Sequence, residues 1–215
     1  MSRPTHLFFV SVFIPVLALL ASSCAEPRPP RAYECHGPDC GFTCPDDGYC
    51  PEVDCSSSGN CDAECPGSAE CFLLNCQDSG YCDLQCSSDV LCQNVDCSNS
   101  GSCDVACTGS SNCPHIRCVG TGECDVECSG DVDCGVNCTG AGSCWSACTG
   151  SSRCLLDCSE SNDCGFSECG EWGEMSCPDG VIVCNRECPT CGDGMCERVA
   201  GEQCKTCSED CGECG

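Results

Sequence analysis

The chain has 215 residues and 37 cysteines, about 17 %, a share that marks a disulfide scaffold and excludes an ordinary domain built on a carbon core. Of the 41 % of residues that count as hydrophobic, 37 are the cysteines themselves, so little Leu, Ile, Val, Phe or Trp remains to be buried. A formal net charge of −26 repels nucleic acid and anionic lipid, which excludes a polyanion-binding role; the exterior can attract only cations or basic surfaces, or simply stay solvated.

This many cysteines persist as disulfides only in an oxidising compartment, and the N-terminus supplies a route to one. Residues 1–23 read as a signal peptide: Arg3 and His6 form a weakly basic start, Leu7 to Leu20 is an apolar run broken only by Ser11 and Pro15, and Ala21, Ser22 and Ser23 precede Cys24. The run is shorter than the ~20 residues that a membrane-spanning helix needs. The segment resembles a bacterial lipoprotein signal, with Ala21 where Leu is usual. The resemblance implies lipid on Cys24 and a membrane partner through that lipid, at the outer membrane or cell surface. Cleavage after Ala25, with Ser23 and Ala25 as the small pair, is the alternative and would give a freely secreted protein. Residues 24–34 form a tether, in which Pro27, Pro29 and Pro30 bias the chain toward extended polyproline geometry.

Residues 35–43 read as a small cysteine-rich cap, and the repeat occupies 44–168. From Cys55 the steps between successive cysteines run 6, 4, 6, 5, and this 21-residue double unit returns from Cys76, Cys97 and near Cys118 before shortening. A fixed period is the signature of a solenoid. Taken as one coil per CxxxxxC segment, the pattern gives 10 or 11 residues per coil, about 12 coils and a rod some 55–60 Å long at ~4.8 Å per coil. The residue two before most opening cysteines is apolar: Val53, Leu74, Leu84, Val95, Val105, Ile116, Val126, Val136 and Leu156. With the cysteine it makes a period-two pattern, so both face inward on short strands while Asp54, Asp96, Glu127 or Asp157 between them faces out. Small or hydroxylated residues follow at the third position (Ser58, Ser68, Ser79, Ser100, Ser110, Thr121, Ser151 and Ser161), often beside Gly, as a tight corner requires.

CTGSSNC, CTGSSRC and CTGAGSC resemble the repeat of beetle hyperactive antifreeze proteins. The resemblance covers residues 44–164 and implies an all-β fold, a narrow disulfide-stapled β-helix whose coils are each braced within one segment. The pairs expected are Cys44 with Cys50, Cys55 with Cys61, Cys65 with Cys71, Cys76 with Cys82, Cys86 with Cys92, Cys97 with Cys103, Cys107 with Cys113, Cys118 with Cys124, Cys128 with Cys134, Cys138 with Cys144, Cys148 with Cys154 and Cys158 with Cys164. Bonded cysteines need Cα atoms ~4.4–6.8 Å apart, whereas six extended steps span roughly 20 Å, so each segment must fold back through its Ser/Gly corner. Each seven-residue loop contributes about 2–2.5 kcal/mol in the chain-entropy account. The ice-binding activity is not implied, because no Thr precedes any opening cysteine from Cys55 to Cys158 and the position after it varies from Ser56 and Pro66 to Gln77 and Val119.

Asp62, Asp83, Asp104 and Asp125 each follow a closing cysteine at 21-residue spacing. On coils of 10 or 11 residues they fall on alternate coils, roughly 9.6 Å apart, too far for one calcium ion to bridge. Residues 169–215 form a second cysteine-rich module, and CGDGMCERVAGEQCKTCSEDCGEC resembles a small repeat at the ends of secreted and surface bacterial proteins. Its CxxC pairs, Cys188 with Cys191, Cys204 with Cys207 and Cys211 with Cys214, would suggest zinc or redox chemistry in the cytosol and disulfides in an exported chain. The mature histidines, His36 and His115, sit in no motif with a nucleophile. The sequence therefore predicts no catalytic residue, no metal site and no cofactor, and a structural or adhesive surface lipoprotein whose surface partner it does not identify. A thiolate or calcium binder is the second reading and an ice-binding protein the third.

Overall fold

The computed structural model describes residues 32–35, 37–46, 48–177, 180–192, 207 and 209. The expected signal peptide, Cys24 and the tether up to residue 31 lie outside the described residues. The chain is a β-solenoid with two parallel sheets as its walls. Strands are numbered in chain order. The ten-stranded wall holds β1 (Tyr33–Glu34), β3 (Tyr49–Cys50), β4 (Val53–Asp54), β6 (Glu70–Asn75), β8 (Leu91–Asp96), β10 (Asn112–Arg117), β12 (Asp133–Asn137) and β14 (Arg153–Asp157), followed by β17 (Val181–Cys184) and β16 (Glu174–Ser176). The seven-stranded wall holds β2 (Asp39–Thr43), β5 (Asn60–Cys65), β7 (Tyr81–Cys86), β9 (Ser102–Gly109), β11 (Glu123–Gly130), β13 (Ser143–Gly150) and β15 (Cys164–Cys169).

Register fixes the length of a turn. Cys61 pairs with Cys82, Cys82 with Cys103, Cys103 with Cys124, then Cys124 with Cys144 and Cys144 with Cys164. One turn therefore takes up the whole double unit of the sequence, and each CxxxxxC segment is a corner with half a turn. This corrects the expectation of about 12 coils to about six turns. Six inter-strand steps make the rod roughly 29 Å long, about half the expected length. The reason is that two successive segments run in opposite walls and cannot pair with each other. Pairing also reaches back before Cys44: β1 pairs β4 and β2 pairs β5, so residues 39–43, which the spacing set apart as a cap, lie in the first turn. At the other end β17 runs antiparallel to β14 and ends the parallel stack on that wall.

The interior is narrow. Val53, Leu74, Val95, Ile116, Val136 and Leu156 line one wall and Ala63, Leu84, Val105 and Val126 the other, all essentially fully buried. At both edges of the walls the filling is sulfur. Each opening cysteine lies within two residues of the end of a strand of one wall, each closing cysteine lies near the start of the next, and a disulfide joins them across the corner. All twelve segments are bonded in this way, with Cα–Cα distances of 5.7 to 6.6 Å. Packed sheets ordinarily stand ~10 Å apart, so walls drawn this close at their edges leave room for cystine and little else.

The corners have two forms. After Cys55, Cys76, Cys97 and Cys118 the third residue turns inward (Ser58, Ser79, Ser100 and Thr121), whereas after Cys65, Cys86, Cys107, Cys128 and Cys148 the fourth does (Ala69, Val90, Ser111, Val132 and Ser152). Ser79 and Ser100 each donate from Oγ to the carbonyl of their opening cysteine, at 2.7 and 2.8 Å. The left-handed backbone falls on the second residue, including Ser57, Asp78, Asn99 and Glu160, where the sequence carries no glycine. The glycines at the fourth position serve close approach instead: a Cβ on Gly80, Gly101 or Gly122 would stand 2.4 to 2.5 Å from the carbonyl oxygen one turn back.

Candidate functional surface: the outer face of the seven-stranded wall

Short strands with alternating burial send every second residue of this wall outward. The central outward column is Gly41, Asp62, Asp83, Asp104, Asp125, Trp145 and Gly165, each paired with the next. The four aspartates therefore sit on successive strands about 4.8 Å apart. The expectation that they fall on alternate coils, at twice this spacing, is corrected. The reason is again the length of the turn: Phe72, Gln93 and Pro114, which follow the intervening closing cysteines Cys71, Cys92 and Cys113, belong to the opposite wall. The strands of this wall carry nine Asp and Glu residues and no Lys or Arg. The two arginines in strands, Arg117 and Arg153, lie on the other wall beside Asp96 and Asp133.

Tyr81 donates from its hydroxyl to Asp104 Oδ2 at 2.6 Å. That bond first, then burial and the charges of Asp104, Asp83 and Asp62, push its phenol up to about 12. Partial burial first, then the charges of Asp104 and Glu123, hold the Asp125 carboxyl above the ordinary carboxylate range. Beyond Asp125 the column changes character. The six-membered ring of Trp145 lies over Gly165, where a Cβ would stand 3.1 Å from Cζ3. The ring lines a groove of about 350 Å³ together with Asp104 and Asp125 of its own column and with Ala106, Glu127 and Ala147, which are paired in the next outward column.

The outward Asp54, Asp96 and Asp157 of the sequence pattern have a structural task on the other wall. Each accepts through Oδ1 the backbone N–H two residues on (Ser56, Ser98 and Ser159, all at 3.0 Å), and Asn75 and Asn137 do the same for Gln77 and Thr139. They are caps on the corners. Asp96 takes further bonds from Ser98 Oγ and, one turn back, from Gln77 Nε2 at 2.9 Å.

Successive disulfides stack closely enough to group sulfurs in threes within 4.8 Å, as at Cys44, Cys50 and Cys71, or Cys86, Cys107 and Cys113. All of these sulfurs are in disulfides and offer no thiolate to a metal. In the C-terminal module the bonds are Cys169–Cys184, Cys177–Cys188 and Cys191–Cys207, so Cys188 and Cys191 bond apart rather than to each other. Cys35 bonds Cys40 in the first turn. Cys204, Cys211, Cys214 and His36 fall outside the described residues. His115 lies on β10, on the opposite wall from the aspartate column.

The 21-residue period itself carries the signal for the acidic face, because it equals one turn and so sets the aspartates on successive strands. Comparison with protein-family models, with curated proteins and with solved structures finds no match to this chain.

Proposed function

We propose that the protein is a non-catalytic structural or adhesive element of the cell surface, exported and held at the membrane by lipid on Cys24. The observation that carries this reading is the pairing, among the described residues, of 32 cysteines in 16 disulfides, two of them in each turn, which turns a chain with few large apolar residues into a stiff rod suited to an oxidising, protease-rich exterior. The acidic outer face gives that rod a surface with which to meet a partner. Lipidation is supported by position: Cys24 ends the apolar run and stands well apart from the next cysteine, Cys35, with a proline-rich tether between them. Two or more acyl chains, as bacterial lipoproteins carry, are needed for stable anchoring.

The test is fractionation of cells with and without Cys24→Ala. The anchored protein pellets with membranes and the variant becomes soluble with its rod disulfides intact. Wild-type protein already soluble, with a mature N-terminus at Glu26, would replace the anchor by free secretion. A count of free thiols near zero in the purified protein separates this reading from a thiolate metal binder, which requires many.

A further inference from the structure

The groove on the seven-stranded wall pairs an aromatic face with carboxylates and small residues. Asp104, Asp125 and Trp145 line it from one outward column, and Ala106, Glu127 and Ala147 from the next. No Lys or Arg stands in any strand of this wall, while on the other wall Arg153 makes a two-pronged contact with Asp133 and Arg117 sits 4.0 Å from Asp96. Among the described strands, one wall therefore sets an arginine beside two of its own carboxylates and the other has no cation to offer. The column of aspartates below Trp145 continues the groove along the axis at about 4.8 Å per step.

From the groove and this one-sided charge we infer that the outer face of the seven-stranded wall docks an extended basic segment of a partner protein, with Lys or Arg at alternate positions laid along Asp62, Asp83, Asp104 and Asp125 and one cation ending against Trp145. The chemistry fits part by part. Lys and Arg carry apolar stems that can pack on Ala106 and Ala147, and charged heads that the carboxylates pair. A cation within ~6 Å of an indole face is attracted to it even beside carboxylates. Alternate residues of an extended chain are ~6.8 Å apart, so four residues of the partner span nearly three steps of the column, and flexible stems absorb the difference. A bound cation also relieves the repulsion that the aspartates impose on one another. A second copy of the chain is excluded as occupant by like charge. The inference rests on the adhesive reading and gives it a partner class.

The probe is a ten-residue peptide alternating Lys and Thr, titrated into the full oxidised protein and followed by calorimetry at 20 mM and 500 mM salt, with a Glu-for-Lys peptide and calcium chloride as the other arms. Binding of the Lys peptide at low salt, its loss at high salt and no binding of the Glu peptide are expected. Asp104→Asn with Asp125→Asn should weaken binding about tenfold, and Trp145→Ala about fivefold. Glu70→Gln with Glu174→Gln removes the same charge from exposed positions of the other sheet and should change binding less than twofold. Equal loss in the two double variants would reduce the effect to net charge and overturn the inference, as would binding of calcium with none of the peptide. Retained adhesion of intact cells alongside failed peptide binding would leave the adhesive reading standing and this inference refuted.

Discussion

Replacing Gly101 by Ala tests how closely the turns are stacked. Gly101 has no left-handed backbone, so alanine meets no conformational strain there. The obstacle is the turn below: the new Cβ would lie 2.5 Å from the Gly80 carbonyl oxygen, where ordinary contact begins at 3.4 Å. That oxygen accepts the Ser102 N–H at 3.1 Å, and Gly101 itself donates to Ser79 O at 2.9 Å. Parting the turns by the missing ~0.9 Å would break both bonds, and with the strain of overpacking the cost comes to about 2–4 kcal/mol. In a domain of this size that is roughly 5–15 °C in Tm. Gly140→Ala is the comparison, because its Cβ meets nothing within 4 Å and only its φ of 67° is at stake, a cost of about 1 kcal/mol. Thermal unfolding of the oxidised proteins, followed by circular dichroism, measures both. Gly101→Ala costing no more than Gly140→Ala would refute the close stacking.

Asp96→Ala should cost about 1–3 kcal/mol in denaturant melts, because it strips the cap from Ser98 and the bond from Gln77. Glu160→Gly should stabilise by about 0.5 kcal/mol in the same assay, since Glu160 holds a φ of 59°. Ultraviolet titration should find a tyrosine ionising near 12 that moves down in Asp104→Asn; a phenol raised above its unfolded value of ~10 contributes stability that is full below that pH and lost as pH climbs through 12. Asp125 is raised for the opposite charge type, so its ionised form opposes folding. Asp125→Asn should therefore raise Tm at neutral pH, with a gain that shrinks once acid protonates the wild-type carboxyl. Full reduction should abolish the strand signal in circular dichroism and leave a disordered acidic chain.

Much of the fold is legible in the sequence because cysteine fixes it locally. The apolar residue two before an opening cysteine and the five-residue corner after it depend only on their own half-turn, and Val95, Cys97, Ser100 and Cys103 all face inward as that pattern requires. The length of a turn is not local. It depends on which strand pairs with which, and a short coil of one segment and a turn of two such halves share one spacing. That ambiguity separated Asp104 from Asp125 on paper, although β9 and β11 set them side by side. The corners carry a second ambiguity, since Gly101 and Gly120 look alike in the sequence, yet one yields to a neighbouring carbonyl and the other takes a left-handed φ of 68°. Trp145 gave no sequence signal, as it holds a position in the column that the preceding four turns give to Asp.

The central claim is that cystine, bonded within each half-turn, takes the place of a carbon core. Tandem mass spectrometry of the unreduced protein, digested under conditions that prevent exchange, tests it most directly. The account predicts links within each CxxxxxC segment, Cys97 with Cys103 and Cys107 with Cys113 among them, through all twelve corners. Links that join one turn to the next, such as Cys82 to Cys103 or Cys103 to Cys124, would contradict it.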